Sequence, residues 1–153
     1  MTLYNLLKTG HILAVVTWVG GGIMMQFLAT RARRAGPAKL YDFAQDAAWT
    51  GRRVFAPASG VTLVFGIALA LVQPYKWGFT PLWIKLGLVG FLLTAINGAA
   101  VLGRLSRKMA TLGAEKGPDD PGVHESARKL LMAMNIDLVI VVLVIVDMVF
   151  KPH

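Results

Sequence analysis

The 153-residue chain contains no cysteine. That excludes disulfides, thiolate catalysis, iron–sulfur clusters and cysteine-ligated zinc. Charge is scarce too: 16% of residues are charged, too few to cover a soluble domain of this size. The apolar fraction is 56%, above the roughly 45–50% of soluble proteins. Mean hydropathy is +0.59, and the length allows one domain, residues 1–153. A net charge of +8 would suggest nucleic acid in a soluble protein. Here the placement of the charges decides.

Four apolar stretches each approach the ~20 residues that a helix needs to cross the hydrocarbon core. They cover about residues 4–28, 54–72, 82–102 and 130–150. The fourth is rich in β-branched residues, but its length fits a spanning helix far better than a buried strand. No basic segment precedes the first stretch and no small-residue cleavage site closes it, so it too is expected to be a permanent span. The fold class predicted is all-α: an integral-membrane, antiparallel four-transmembrane-helix bundle.

Basic residues give the expected orientation. Arg31, Arg33, Arg34, Lys39, Arg52 and Arg53 lie between the first two spans. Arg104, Arg107, Lys108, Lys116, Arg128 and Lys129 lie between the last two, against Lys76 alone in the middle connection. The positive-inside rule then puts both termini on the non-cytoplasmic side. These arginines flank spans instead of forming one face, which argues against nucleic acid as a partner. The lipid bilayer is the first partner expected.

Tyr75, Trp77, Phe79 and Trp83 crowd the outer connection as an interfacial belt, punctuated by Gln73-Pro74 and Pro81. On the inner side, about residues 37–49 place Leu40, Phe43 and Ala47 at helical spacing, which predicts a short interfacial helix. Gly113–Gly122 reads as a polar hinge. Ala95, Ala99 and Gly103 on span three, and Gly66 with Ala70 on span two, are expected sites of close helix approach. Gly20-Gly21-Gly22 leaves bare backbone for a neighbouring helix or for a flat cofactor edge.

Ionisable groups inside spans are expensive and are functional candidates by default. Lys8, His11, Lys85 and Asp147 fall in the outer third, and Asn97, Asn135 and Asp137 in the inner third. Lys8, Lys85 and Asp147 can snorkel or pair with one another. Asp137 and Asn97 arrive at one depth from antiparallel spans, so they are expected to meet inside the bundle. Met24, Met25, Met132 and Met134 lie near that level, as core filler or as a soft Cu(I) site. His11 is the only histidine within a span; His124 and His153 lie outside, so a bis-histidine haem site is not available except through the terminal His153.

These residues carry a resemblance. The segment from Tyr4 through His11 and Trp18 to Gly22 resembles the opening helix of a bacterial membrane superfamily. That superfamily includes the HemJ-type protoporphyrinogen oxidases and the CopD-like copper-resistance proteins. Gly51-Arg-Arg-Val-Phe-Ala-Pro57-Ala-Ser-Gly60 and Asp147-Met-Val-Phe-Lys-Pro152 resemble one branch more closely, the predicted integral membrane protein family known as domain of unknown function 2269. The HemJ-type likeness implies b-type haem, with His11 at the first-helix histidine and Lys85 at the third-helix lysine. The last span has Asn135-Ile-Asp137-Leu where HemJ-type proteins carry Asn-Glu-x-Pro.

Two function classes stay open. One is a non-catalytic subunit or scaffold that packs against other membrane-protein subunits or copies of itself. The other is a redox protein holding haem b, with His11 as the metal ligand, Lys8 and Lys85 as cations for its propionates, and Trp18 and Gly22 continuing that face inward. Asn97, Asp137 and Asp147 are the expected structural polar groups. Without haem, the outer group is expected to close that end as an ion-pair cluster.

Overall fold

A computed structural model describes residues 2–72 and 78–151. Gln73, Pro74, Tyr75, Lys76 and Trp77 of the outer connection lie outside the described residues, as do Pro152 and His153. All regular structure among the described residues is helical. Four helices are long and apolar enough to cross a membrane: Leu3–Ala35, Pro37–Leu71, Leu82–Lys116 and Pro121–Phe150. The fold is a four-helix membrane bundle.

Local chemistry sets the helix ends. The Thr2 hydroxyl accepts a hydrogen bond from the Asn5 amide at 3.4 Å, and the Asp120 carboxylate accepts one from Gly122 at 2.8 Å. Pro37 and Pro121 occupy first-turn positions, where the missing N–H costs nothing. Gly36, at φ 110°, breaks the chain between helices one and two in a conformation that few other residues adopt. Only residues 117–120 interrupt the helices at the second basic connection. Six of the ten residues of the predicted hinge are therefore helical. Gly113 packs under the Tyr41 ring, whose hydroxyl donates to the Ala110 carbonyl at 3.3 Å.

The first helix has 33 residues, about 50 Å at 1.5 Å per residue, against a hydrocarbon core of about 30 Å. The surplus lies at the end that carries the basic connections. There the helices continue beyond the apolar runs because the charged segments keep one apolar face: Leu102, Leu105, Met109 and Leu112 on helix three, and Val123, Ala127, Leu130 and Met134 on helix four. These faces enclose the principal core, with Ala29, Leu40, Phe43, Ala44 and Met109 buried at its centre. The apolar side of residues 37–49 is thus turned into protein, while Trp49 stays exposed.

Helices one and two pack along their length as one hairpin, and helices three and four as another. The hairpins are joined tightly at the basic end and loosely at the opposite, terminal end, where helices two and three scarcely touch. Glycines permit the close contacts within each hairpin. Gly10 and Gly21 receive the Phe65 and Phe55 rings, and Gly87 and Gly90 receive Met148 and Val144. A side chain at any of the four would collide with its neighbour. On helix three the close approach is therefore at Gly87 and Gly90; Ala99 of the expected stripe is exposed.

Candidate functional site

The outer candidates do not form one cluster. His11 belongs to the first hairpin and packs across it: Nδ1 lies 2.9 Å from the Thr62 carbonyl oxygen. A carbonyl only accepts, so Nδ1 carries the proton and Nε2 is the ring's lone-pair nitrogen. Gly66 makes room for the ring, because a Cβ there would sit 3.1 Å from His11 Cε1. Asp147 belongs to the second hairpin. Its Oδ2 lies 3.6 Å from where a Gly87 Cβ would be, and both carboxylate oxygens are buried without a hydrogen-bond partner among the described residues.

Lys8 and Lys85 are exposed. Among the described residues the ion pairs are Lys39–Asp42 and Glu125–Lys129, so neither Lys8 nor Lys85 pairs with Asp147. The expected ion-pair cluster is not assembled. The physical reason is the loose terminal end: the hairpins are separate enough there that His11 turns to Thr62 of its own hairpin, the lysines stay exposed, and Asp147 is left without a partner among the described residues. Trp83 instead lies under the Lys151 ammonium, 5.5 Å from ring centroid to Nζ.

The inner candidates do come together. Asn97 Nδ2 donates to Asp137 Oδ1 at 3.1 Å and to the Ala133 carbonyl at 3.1 Å. One amide thus ties helix three to two successive turns of helix four. Beside this pair is a cavity of about 90 Å³ lined by Trp18, Gly22, Gln26, Phe55, Met134 and Asp137, among others. Trp18 closes it toward the terminal end, stacked edge-on against Phe91 at 5.6 Å between centroids.

Phe55 and Leu102, which both line the cavity, end the two wide helical turns of the chain, Gly51–Phe55 and Asn97–Leu102. Such π-type turns recur at functional sites. Of the methionines, Met25 and Met134 line the cavity, while Met24 and Met132 are exposed and take no part.

Two contributors to this cavity escape a reading of charge alone. Gln26 has its Nε2 buried without a hydrogen-bond partner, and Phe55 sits where the helix widens. Gln26 was visible in the sequence as an amide within an apolar run, Met25-Gln-Phe-Leu28. Phe55 lies within the Gly51–Gly60 segment that carries the family resemblance.

What the arrangement can do follows from its size and lining. The cavity has room for about three waters, at ~30 Å³ each, which could serve the Gln26 amide and the Asp137 carboxylate. It falls well short of the roughly 300–1,000 Å³ pockets that hold drug-sized ligands. Haem fits only in part. His11 has the arrangement of a ligand histidine, with one nitrogen anchored by a carbonyl and the other carrying the lone pair. Yet Trp18 and Gly22 line a space too small for a porphyrin, and the two lysines are not gathered beside it. No group of three or more histidine or carboxylate side chains is placed to hold a metal ion among the described residues.

A family model for a predicted integral membrane protein, DUF2269, matches residues 5–152. The chain belongs to that family. No curated protein and no solved structure matches it.

Proposed function

We propose that the chain is a non-catalytic, membrane-embedded subunit or scaffold. One observation carries this reading: no more than 17% of the most apolar stretch of any helix is buried within the chain. The hairpins cover little of one another in that region, and Leu13, Val16, Phe27, Val139, Leu143 and Val149 are among the side chains left exposed. Gly20 is exposed with nothing near its Cβ position, so a neighbouring helix could approach its backbone closely. Lipid covers such a surface, and so do other subunits or a second copy.

The reading includes an orientation. The basic end carries twelve of the lysines and arginines, which supports a cytoplasmic position for that end and a non-cytoplasmic one for both termini, in a bacterial cytoplasmic membrane. A second reading, a HemJ- or CopD-like redox protein with b-type haem on His11, draws support from the fixed Nδ1 proton alone.

The absence of native cysteine makes the test clean. A Gly20→Cys chain, treated with a short bifunctional thiol or thiol–amine reagent in native membranes, is expected to give one adduct of defined mass. A Gly117→Cys chain should not give it. Monomer alone at natural abundance would sink the subunit reading. A reduced b-type haem spectrum in purified protein, lost in His11→Ala, would move the assignment to the second reading. Labelling of Gly117→Cys by an impermeant reagent from outside would overturn the orientation.

A further inference from the structure

A second concavity opens at the basic end, away from the Asn97–Asp137 pair. It has a volume of about 380 Å³, and its lining includes Arg33, Leu40, His124, Arg128, Leu131 and Met132. On helix four, His124, Arg128, Leu131 and Asn135 recur at helical spacing on one face that runs from charged to apolar. Arg33 comes from the end of helix one, just beyond the apolar run that closes at Leu28. The groove therefore combines the cationic Arg33 and Arg128 with the apolar Leu40, Leu131 and Met132, the last of them itself exposed.

Its level matters. Arg128 and Lys129 immediately precede the apolar run that begins at Leu130, so the groove crosses the boundary between headgroups and hydrocarbon. Its cations are also outside any close ion pair among the described residues, although the Arg128 charge acts on Glu125 through space. Arg33 and Arg128 are exposed and take part in neither ion pair nor hydrogen bond among the described residues. Glu125, one turn before Arg128, is held by Lys129 at 2.6 Å.

We propose that this groove binds one anionic phospholipid, with its phosphate at Arg33 and Arg128, His124 as an additional donor, and an acyl chain along Leu131 and Met132. Charge complementarity selects the anionic headgroup. The apolar half of the groove selects a lipid over a free anion, which would engage the cationic residues alone. The site does not depend on the subunit reading: either result below leaves that reading standing.

The experiment uses the whole chain in detergent, with phosphatidylglycerol titrated against phosphatidylcholine and bound lipid counted by native mass spectrometry. Each arginine near a phosphate contributes about fivefold, so Arg33→Gln with Arg128→Gln should weaken phosphatidylglycerol binding roughly thirtyfold. The charge-matched pair Arg53→Gln with Arg104→Gln, outside the groove, should change it less than about fivefold. Arg33→Lys with Arg128→Lys should keep most of the binding and shows that the site survives substitution. Equal losses in the two glutamine pairs would overturn the proposal in favour of a diffuse basic belt. Inorganic phosphate that competes as well as the lipid does would overturn it in favour of a free-anion site.

Discussion

Replacing Asn97 by alanine tests the inner polar pair directly. The substitution removes two hydrogen bonds from helix three to helix four, to Asp137 and to the Ala133 carbonyl, each 3.1 Å long. Interhelical hydrogen bonds in membranes average about 0.6 kcal/mol and reach about 1.7. To that is added the cost of leaving the half-buried Asp137 carboxylate without its Asn97 donor, of order 1–3 kcal/mol. A loss of about 2–4 kcal/mol is expected. Asp137→Asn should cost less than about 1 kcal/mol, because an amide oxygen accepts the same bond. Asn97→Ala combined with Asp137→Leu should recover much of the single loss, since both partners are then apolar. Reversible unfolding in mixed micelles, followed by tryptophan fluorescence, reads all three. A loss below about 1 kcal/mol in Asn97→Ala, with no recovery in the double variant, would refute the reasoning. It would mean that water in the adjoining cavity already serves the carboxylate.

Three further outcomes follow from the packing. Gly90→Leu drives a side chain into Val144 and should cost about 1–3 kcal/mol or more; Gly20→Leu, with open space at its Cβ position, should be neutral or stabilising in the isolated chain, and equal losses would show that the glycine contacts are misassigned. Met109→Ala empties a fully buried site in the principal core and should cost about 2–4 kcal/mol by thermal unfolding; an unchanged midpoint would place the core elsewhere. Trp18→Ala removes the stacking contact with Phe91 that joins the hairpins near the terminal end. Spin labels at Leu13 and Val89 should then report a broader separation while the basic end is unmoved, and an unchanged distribution would show that another contact holds the hairpins together.

The spans and the meeting of Asn97 with Asp137 were legible because both follow from length and depth, which hydropathy records directly. The helical extensions at the basic end were legible in principle. Leu105, Met109 and Leu112, and Val123, Ala127 and Leu130, keep helical spacing among charged residues, but an average over such a segment looks like a loop. The outer cluster was misread for a different reason. Depth arithmetic put His11, Lys85 and Asp147 at one level, yet level fixes only one coordinate. Which neighbour a side chain faces depends on how the hairpins associate, and here His11 spends its anchored nitrogen on Thr62 within its own hairpin.

The two wide turns explain why a single helical period does not run through helices two and three. Counted at about 100° per residue, the buried positions Leu40, Phe43 and Ala44 point roughly 90° away from the buried positions Thr62 and Ala70. On helix three, Ile84, Gly87, Gly90 and Thr94 stand off from Ser106 and Met109 by a similar angle, roughly 80° at the same count. A uniform α-helix would spread the two sets over a wide arc of its surface. One extra residue accommodated in a π-type turn absorbs close to that angle. Gly51–Phe55 and Asn97–Leu102 lie between the two buried sets on their respective helices. The turns thus let a tightly packed basic end and a thinly packed membrane section share the same helices. The cavity lined by Phe55, Leu102 and Asp137 lies where the register changes, because a widened turn cannot pack as closely as a regular one. Asp137 is fixed there by Asn97, the first residue of one of those turns. The same register change therefore also creates the bundle's internal polar site.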